Sequence, residues 1–197
     1  CIRDSGNGFK EEFIQDKEMV ELIDKWGDQC DNLHTDLHEC LGHGSGKLLD
    51  GVSPDALKSY GSTIEEARAD LFGLYFIADP KLLQLGLLDN SEAYHAAYYS
   101  YMLNGLMTQL VRIAPGNKIE EAHMRNRALI ARWCYEKGKK NSVAELYTDN
   151  GKTYLRINDY EALRRLSAQL LAEIQRVKSE GDLEAARLLV ETYGVNV

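Results

Sequence analysis

Apolar residues recur along most of the chain at the spacing of an α-helix, as in Phe13, Val20, Ile23 and then Leu33, Leu37, Leu41. Such spacing lets one stripe of each segment face a common core. With only three prolines to interrupt it, the pattern predicts a mainly α, multi-helix fold, with helices near 10–26, 29–42, 63–78, 91–113, 118–138, 159–178 and 181–192. Ser62 or Thr63 ahead of Glu65-Glu66 reads as a helix cap, Pro80 closes the third helix and opens a short turn, and Asn158-Asp159 precedes the run from Tyr160. The exception is 143–157, where Val143, Leu146, Tyr147 and then Tyr154, Leu155, Ile157 flank Asp149-Asn150-Gly151-Lys152. Asn-Gly is the favoured two-residue hairpin turn, so one small β-hairpin is expected there. The most irregular stretch is 43–62, with Gly44, Gly46, Gly51, Pro54 and Gly61.

Composition narrows the picture without redirecting it. A chain of 197 residues, 44% hydrophobic and 27% charged, can bury one sizeable core and reads as a single helical domain over 1–197. A net charge of −8, from 31 acidic against 23 basic residues, offers phosphate backbones little to hold, so nucleic acid is excluded as an expected partner. No apolar run reaches the length of a membrane span. Cys1, Cys30, Cys40 and Cys134 are scattered, with no paired spacing, and read as free thiols of a reducing, cytoplasmic compartment. The chain opens on Cys1 and a loop-like stretch rather than on Met, and so reads as a piece of a longer protein whose targeting signal cannot be assessed.

The chemistry concentrates in His38-Glu39-Cys40-Leu41-Gly42-His43. In the common zinc-peptidase pattern H-E-x-x-H the histidines are four apart, which at ~100° per residue leaves them ~40° apart on one helical face, with the glutamate in reach of a metal-bound water. Here they are five apart, or ~140° on a regular helix, too far for one ion. The spacing therefore predicts a π-bulge that absorbs the extra residue, with Gly42 as the point where the backbone yields most easily. A catalytic zinc site has three protein ligands and an open fourth position, so a third donor is needed. Glu66, 23 residues after His43, is the best candidate. Asp70 follows at i+4 on the same face. Metal-bound imidazoles usually donate their other N–H to a carboxylate, and Glu65 and Asp70 suit the places behind the two rings. His34, one turn before His38, is the other open candidate for the third ligand, although a His34/His38 pair would leave Glu39 without a role. His95, among the tyrosines of 94–99, reads as a packing residue. Gly44-Ser45-Gly46-Lys47 hints at a phosphate loop, but the full Walker pattern is absent and a helix ends there rather than begins.

Together, the stretch from His38 to Leu48 and Glu65-Glu66-Ala67-Arg68-Ala69-Asp70 resemble the paired signatures of the M49 (dipeptidyl peptidase III) family of zinc peptidases. Ala122-His123-Met124-Arg125-Asn126-Arg127 resembles the family segment whose histidine helps stabilise the transition state, and similarity continues through Ser179-Glu180-Gly181-Asp182. Cys40, Ala67 and Asp70 depart from the aliphatic residue, Cys and Glu that are frequent there. The resemblance implies one Zn2+ held by His38, His43 and Glu66, with Glu39 as general base, His123 at the oxyanion, Arg127 in contact with substrate, and release of dipeptides from the N-termini of short peptides. It also implies a longer, two-lobed enzyme, of which this chain is the core of the helical zinc-binding upper lobe, working with a β-rich lower lobe. The alternative is a non-catalytic helical domain with a structural or partner-binding zinc site, which needs four closed ligands and no base at position 39.

Overall fold

The computed structural model describes residues 12–114 and 117–196. Helix α1 (Lys17–Leu37) runs without a break into a π-helical turn (His38–His43). There follow α2 (Gly61–Ile77), the short α3 (Pro80–Gln84), and α4 (Tyr94–Leu103), which widens into a second π-turn (Asn104–Thr108). Helix α5 (Ala122–Gly138), a hairpin of β1 (Ala144–Asp149) and β2 (Lys152–Ile157), α6 (Tyr160–Glu180) and α7 (Leu183–Leu189) complete the order, with a third π-turn over Val190–Val195. The mainly helical fold with one small hairpin is the one the periodicity predicts.

Its boundaries differ from the prediction where local chemistry intervenes. Asp16 sets the start of α1 by accepting from the backbone of Glu18 at 3.0 Å, and residues 10 and 11 of the predicted helix lie outside those described. The predicted break after residue 26 is absent. Gly27 stays helical, a cost of ~1 kcal/mol relative to alanine that is offset by the burial of Ile23, Cys30 and Leu33 on the core face. Neither Ser62 nor Thr63 caps α2, which grows out of a 3₁₀ turn (Lys58–Tyr60) with no side-chain cap. Pro80 is the first residue of α3, where it needs no N–H, and Asp79 caps that helix at 2.8 Å from Lys81 N. In the hairpin Asn150 and Gly151 both take positive φ, 49° and 78°, the conformation a type I′ turn requires.

Helix α2 lies at the centre. Ten of its seventeen residues are buried, as expected of a helix covered on all sides; α1, α5, α6 and the first π-turn pack around it. Leu170, Ile174 and Val177 of α6 are fully buried, each contributing ~1.5–3 kcal/mol of hydrophobic stabilisation. No helix among the described residues is long and apolar enough to cross a membrane.

Gly42 serves contact rather than flexibility. A Cβ there would lie 2.6 Å from Ala69 Cα and 2.7 Å from Ala69 Cβ, so only glycine lets the π-turn lie directly on α2. Gly42→Ala is expected to destabilise the fold by about 1–3 kcal/mol through overpacking. A thermal melt followed by circular dichroism should show Tm falling by roughly 2–10 °C.

Candidate metal centre

The π-turn ending α1 faces the first half of α2, and the two segments carry all the proposed ligands. The widened turn does what the five-residue spacing demands: it brings His38 Nε2 and His43 Nε2 to 3.0 Å, with the rings edge to face. Glu66 closes the triangle, Oε2 lying 3.5 Å from His38 Nε2 and Oε1 3.7 Å from His43 Nε2. One ligand atom from each residue fits within 4.8 Å of the others.

The far side of each ring is anchored. His38 Nδ1 lies 2.7 Å from Asp70 Oδ1, and His43 Nδ1 lies 2.9 Å from Glu65 Oε1. A carboxylate can only accept, so both Nδ1 atoms carry protons and both Nε2 lone pairs point at the same space. Two lone pairs 3.0 Å apart repel unless a cation, a proton or a metal ion, lies between them. Oε2 of Glu66 is buried and accepts no hydrogen bond, although His123 Nδ1 approaches it to 3.2 Å. Two imidazoles and a carboxylate with spare lone pairs on one point are a donor set that suits a divalent transition metal ion.

The anchoring carboxylates are themselves held. Burial acts to raise the Glu65 pKa, but hydrogen bonds from Arg68, Lys178 and His43 outweigh it and bring it down to about 2. Arg68 is fully buried and grips Glu65 with Nε at 3.0 Å and Nη2 at 2.9 Å. The same Nη2 donates to the carbonyls of Gly42 at 2.7 Å and Ser45 at 2.8 Å. Arg68 therefore ties off the exit of the π-turn while fixing the carboxylate behind His43. The C-terminal end of α6 joins in: Lys178 pairs with Glu65, Leu49 N donates to Ser179 O at 2.9 Å, and Ser179 Oγ donates to Lys47 O at 2.9 Å. Asp70 is pulled toward higher pKa by burial, but hydrogen bonds from His34, His38 and Tyr101 keep its carboxyl far below the usual range. The Asp70 hydrogen bond raises the pKa of His38, against the opposing effect of burial.

Comparison with known proteins places the chain in a family. The family model of peptidase family M49 matches residues 4–58 and 54–195. The chain belongs to peptidase family M49. Dipeptidyl peptidase 3 of Rattus norvegicus is 25% identical over 219 aligned residues, covering 91% of this chain and 30% of the relative. The same-named protein of Homo sapiens is 25% identical over 217 residues, covering 90% and 29%. This M49 chain thus spans about 30% of the length of the curated relatives it matches. The fold is also that of DPP III from Caldithrix abyssi (TM-score 0.69, 23% identity, 93% of this chain and 32% of that one) and of dipeptidyl-peptidase III from Corallococcus sp. strain EGB (TM-score 0.68, 19%, 94% and 32%).

Each residue singled out from the sequence has a definite place. Glu39 is exposed, and its carboxylate has no hydrogen bond or ion pair among the described residues. His123, 56% exposed, stands at the rim against Glu66. Arg127 follows it by one turn, half-buried, close enough for its charge to act on Tyr101. His34 lies behind the ligands, 3.2 Å from Asp70 Oδ1, rather than beside Glu66. His95 stacks on Tyr160 at 3.8 Å. Cys30, Cys40 and Cys134 are free, while Cys1 lies outside the described residues. Sequence reasoning missed the roles of Arg68, Lys178, Tyr101 and Asn126. Arg68 alone left a signal, as a partner three residues from Glu65 within the quoted motif.

Removing the guanidinium would leave Glu65 with Lys178 and His43 alone and take a donor from both turn carbonyls at once. Arg68→Met is expected to cost about 3–5 kcal/mol, the range for breaking a buried ion pair from one side. Urea unfolding should show a lower midpoint at unchanged slope.

Proposed function

We propose that this chain is the zinc-holding domain of a two-lobed exopeptidase that releases dipeptides from the N-termini of short peptides. The observation that carries the reading is the His38, His43 and Glu66 triangle with the unengaged Glu39 one residue from the first ligand. Three donors plus a free carboxylate suit catalysis; a structural site would use a fourth ligand. The name shared by the relatives, dipeptidyl peptidase 3, supports the product class.

In this reading His38, His43 and Glu66 hold the ion, with Asp70 and Glu65 fixing the tautomer and tilt of the two rings. When bound, zinc supplies Lewis acidity at the scissile carbonyl and makes water more acidic. Glu39 takes the proton of the attacking water on its carboxylate and hands it to the leaving amine nitrogen. His123, which stands beside Glu66, helps stabilise the oxyanion. Arg127 supplies a guanidinium to the bound peptide. The remaining peptide contacts come from a β-rich lower lobe, and the free thiols fit a cytoplasmic setting.

Glu39 is the residue to test, in a longer protein carrying this chain and its lower lobe. Glu39→Ala should retain zinc, measured by elemental analysis, while hydrolysis of a dipeptidyl-naphthylamide falls ~10²–10⁴-fold. Undiminished hydrolysis would sink the mechanism. Zinc affinity distinguishes ligands from their supports. Glu66→Ala should abolish binding, whereas Glu65→Ala and Asp70→Ala should weaken it about 10–100-fold. Native affinity in Glu66→Ala would hand the third position to another residue, His34 first.

A further inference from the structure

The Asp70 carboxylate stands where four elements meet. Oδ1 bonds His38 Nδ1 at 2.7 Å and His34 Nε2 at 3.2 Å. Oδ2 accepts from Tyr101 Oη at 2.7 Å and from Asn126 Nδ2 at 2.9 Å. The partners come from the first π-turn, α1, α4 and α5 respectively, so both the position and the plane of the carboxylate are set. Asn126 is 1% exposed, and its Oδ1 is buried with no hydrogen-bond partner. A buried amide with one end unsatisfied is unfavourable as packing alone. Its donor end is what it contributes, and that end points at Asp70. Asn126 also lies three residues after His123 on the same helix.

We propose that Asn126 is a positioning residue of the metal centre. By donating to Asp70 Oδ2 it fixes the plane of the carboxylate that orients the His38 ring, and it ties a metal ligand to the helix that carries His123. The proposal rests on His38, His43 and Glu66 being the metal ligands. Without the Asn126 donor, Oδ2 keeps Tyr101 alone and the carboxylate is free to turn about its own axis, taking the His38 ring with it.

The test uses the 197-residue chain with Asn126→Leu and Asn126→Asp, each alone and combined with Asp70→Ala. Zinc affinity is measured by competition with a chromophoric chelator, and ligand geometry by the visible absorption of the Co2+-loaded chain. Melting of the metal-free chain reads folding separately; leucine is close to asparagine in size and removes the unsatisfied acceptor, which favours retention of the fold. Each single variant is expected to bind zinc about 10–100-fold more weakly, with shifted Co2+ bands. Neither should add to the loss already caused by Asp70→Ala, because the effect runs through that carboxylate. Full additivity with Asp70→Ala, or native affinity with an unaltered Co2+ spectrum, overturns the proposal and leaves Asn126 a packing residue. A parent chain that binds neither ion overturns the metal assignment and this proposal together, whereas a binding parent with unaffected variants overturns this proposal alone.

Discussion

Two imidazole nitrogens five residues apart have to meet at one point, and a regular helix cannot do that. The widened turn from His38 to His43 can, but a π-turn is a poor structure when left to itself, and its stability comes from outside. Gly42 lets it lie on the backbone of Ala69. Arg68 donates to the Gly42 and Ser45 carbonyls, at the end of a helix where carbonyls run short of backbone donors. Because the guanidinium is rigid and carries five donors, the same side chain closes the turn and holds Glu65. Local backbone and ligand support are thus one construction.

Three carboxylates of α2 crowd this region, and hydrogen bonding separates their roles. Glu65 is saturated by Arg68, Lys178 and His43, and Asp70 by donors on both oxygens. Glu66 keeps an oxygen with no hydrogen bond. Glu65 and Glu66 are neighbours in sequence, yet the ~100° step of the helix turns one behind the histidines and the other between them. Proteins distinguish chemically identical groups by environment, and here the division falls between acids fully occupied by donors and acids with lone pairs to spare.

Much of this was legible in the sequence, for identifiable reasons. Helical periodicity gave the fold class because most elements bury a single stripe, and Asn150-Gly151 gave the hairpin because few dipeptides accept two positive φ angles in succession. The meeting of His38, His43 and Glu66 was legible because local spacing carries it: two histidines five residues apart, then two acids at the start of the next helix. What escaped notice depends on tertiary contact. Gly27 failed to break α1 because packing outweighs a propensity of ~1 kcal/mol. The second π-turn escaped because no ligand spacing demanded it. Tyr101 and Asn126 are unremarkable helix residues until Asp70 is placed between them, and Asp70, one methylene shorter than the Glu frequent at that place, comes within 2.7 Å of His38.

The staple from α6 has a consequence for how the molecule comes to exist. Lys178 and Glu65 are 113 residues apart in the chain, and Ser179 and Lys47 are 132 apart. Closing loops of that length takes conformational entropy before any contact compensates for it, and contacts distant in sequence slow folding. The histidine helix and the glutamate helix can align through contacts near in sequence, such as Arg68 with the Gly42 carbonyl, but the hold on Glu65 is complete only once the last quarter of the chain has docked. A partly folded chain would then lack one of the two cations that fix the carboxylate behind His43, so that a fully held Glu65 marks the arrival of the far end of the domain.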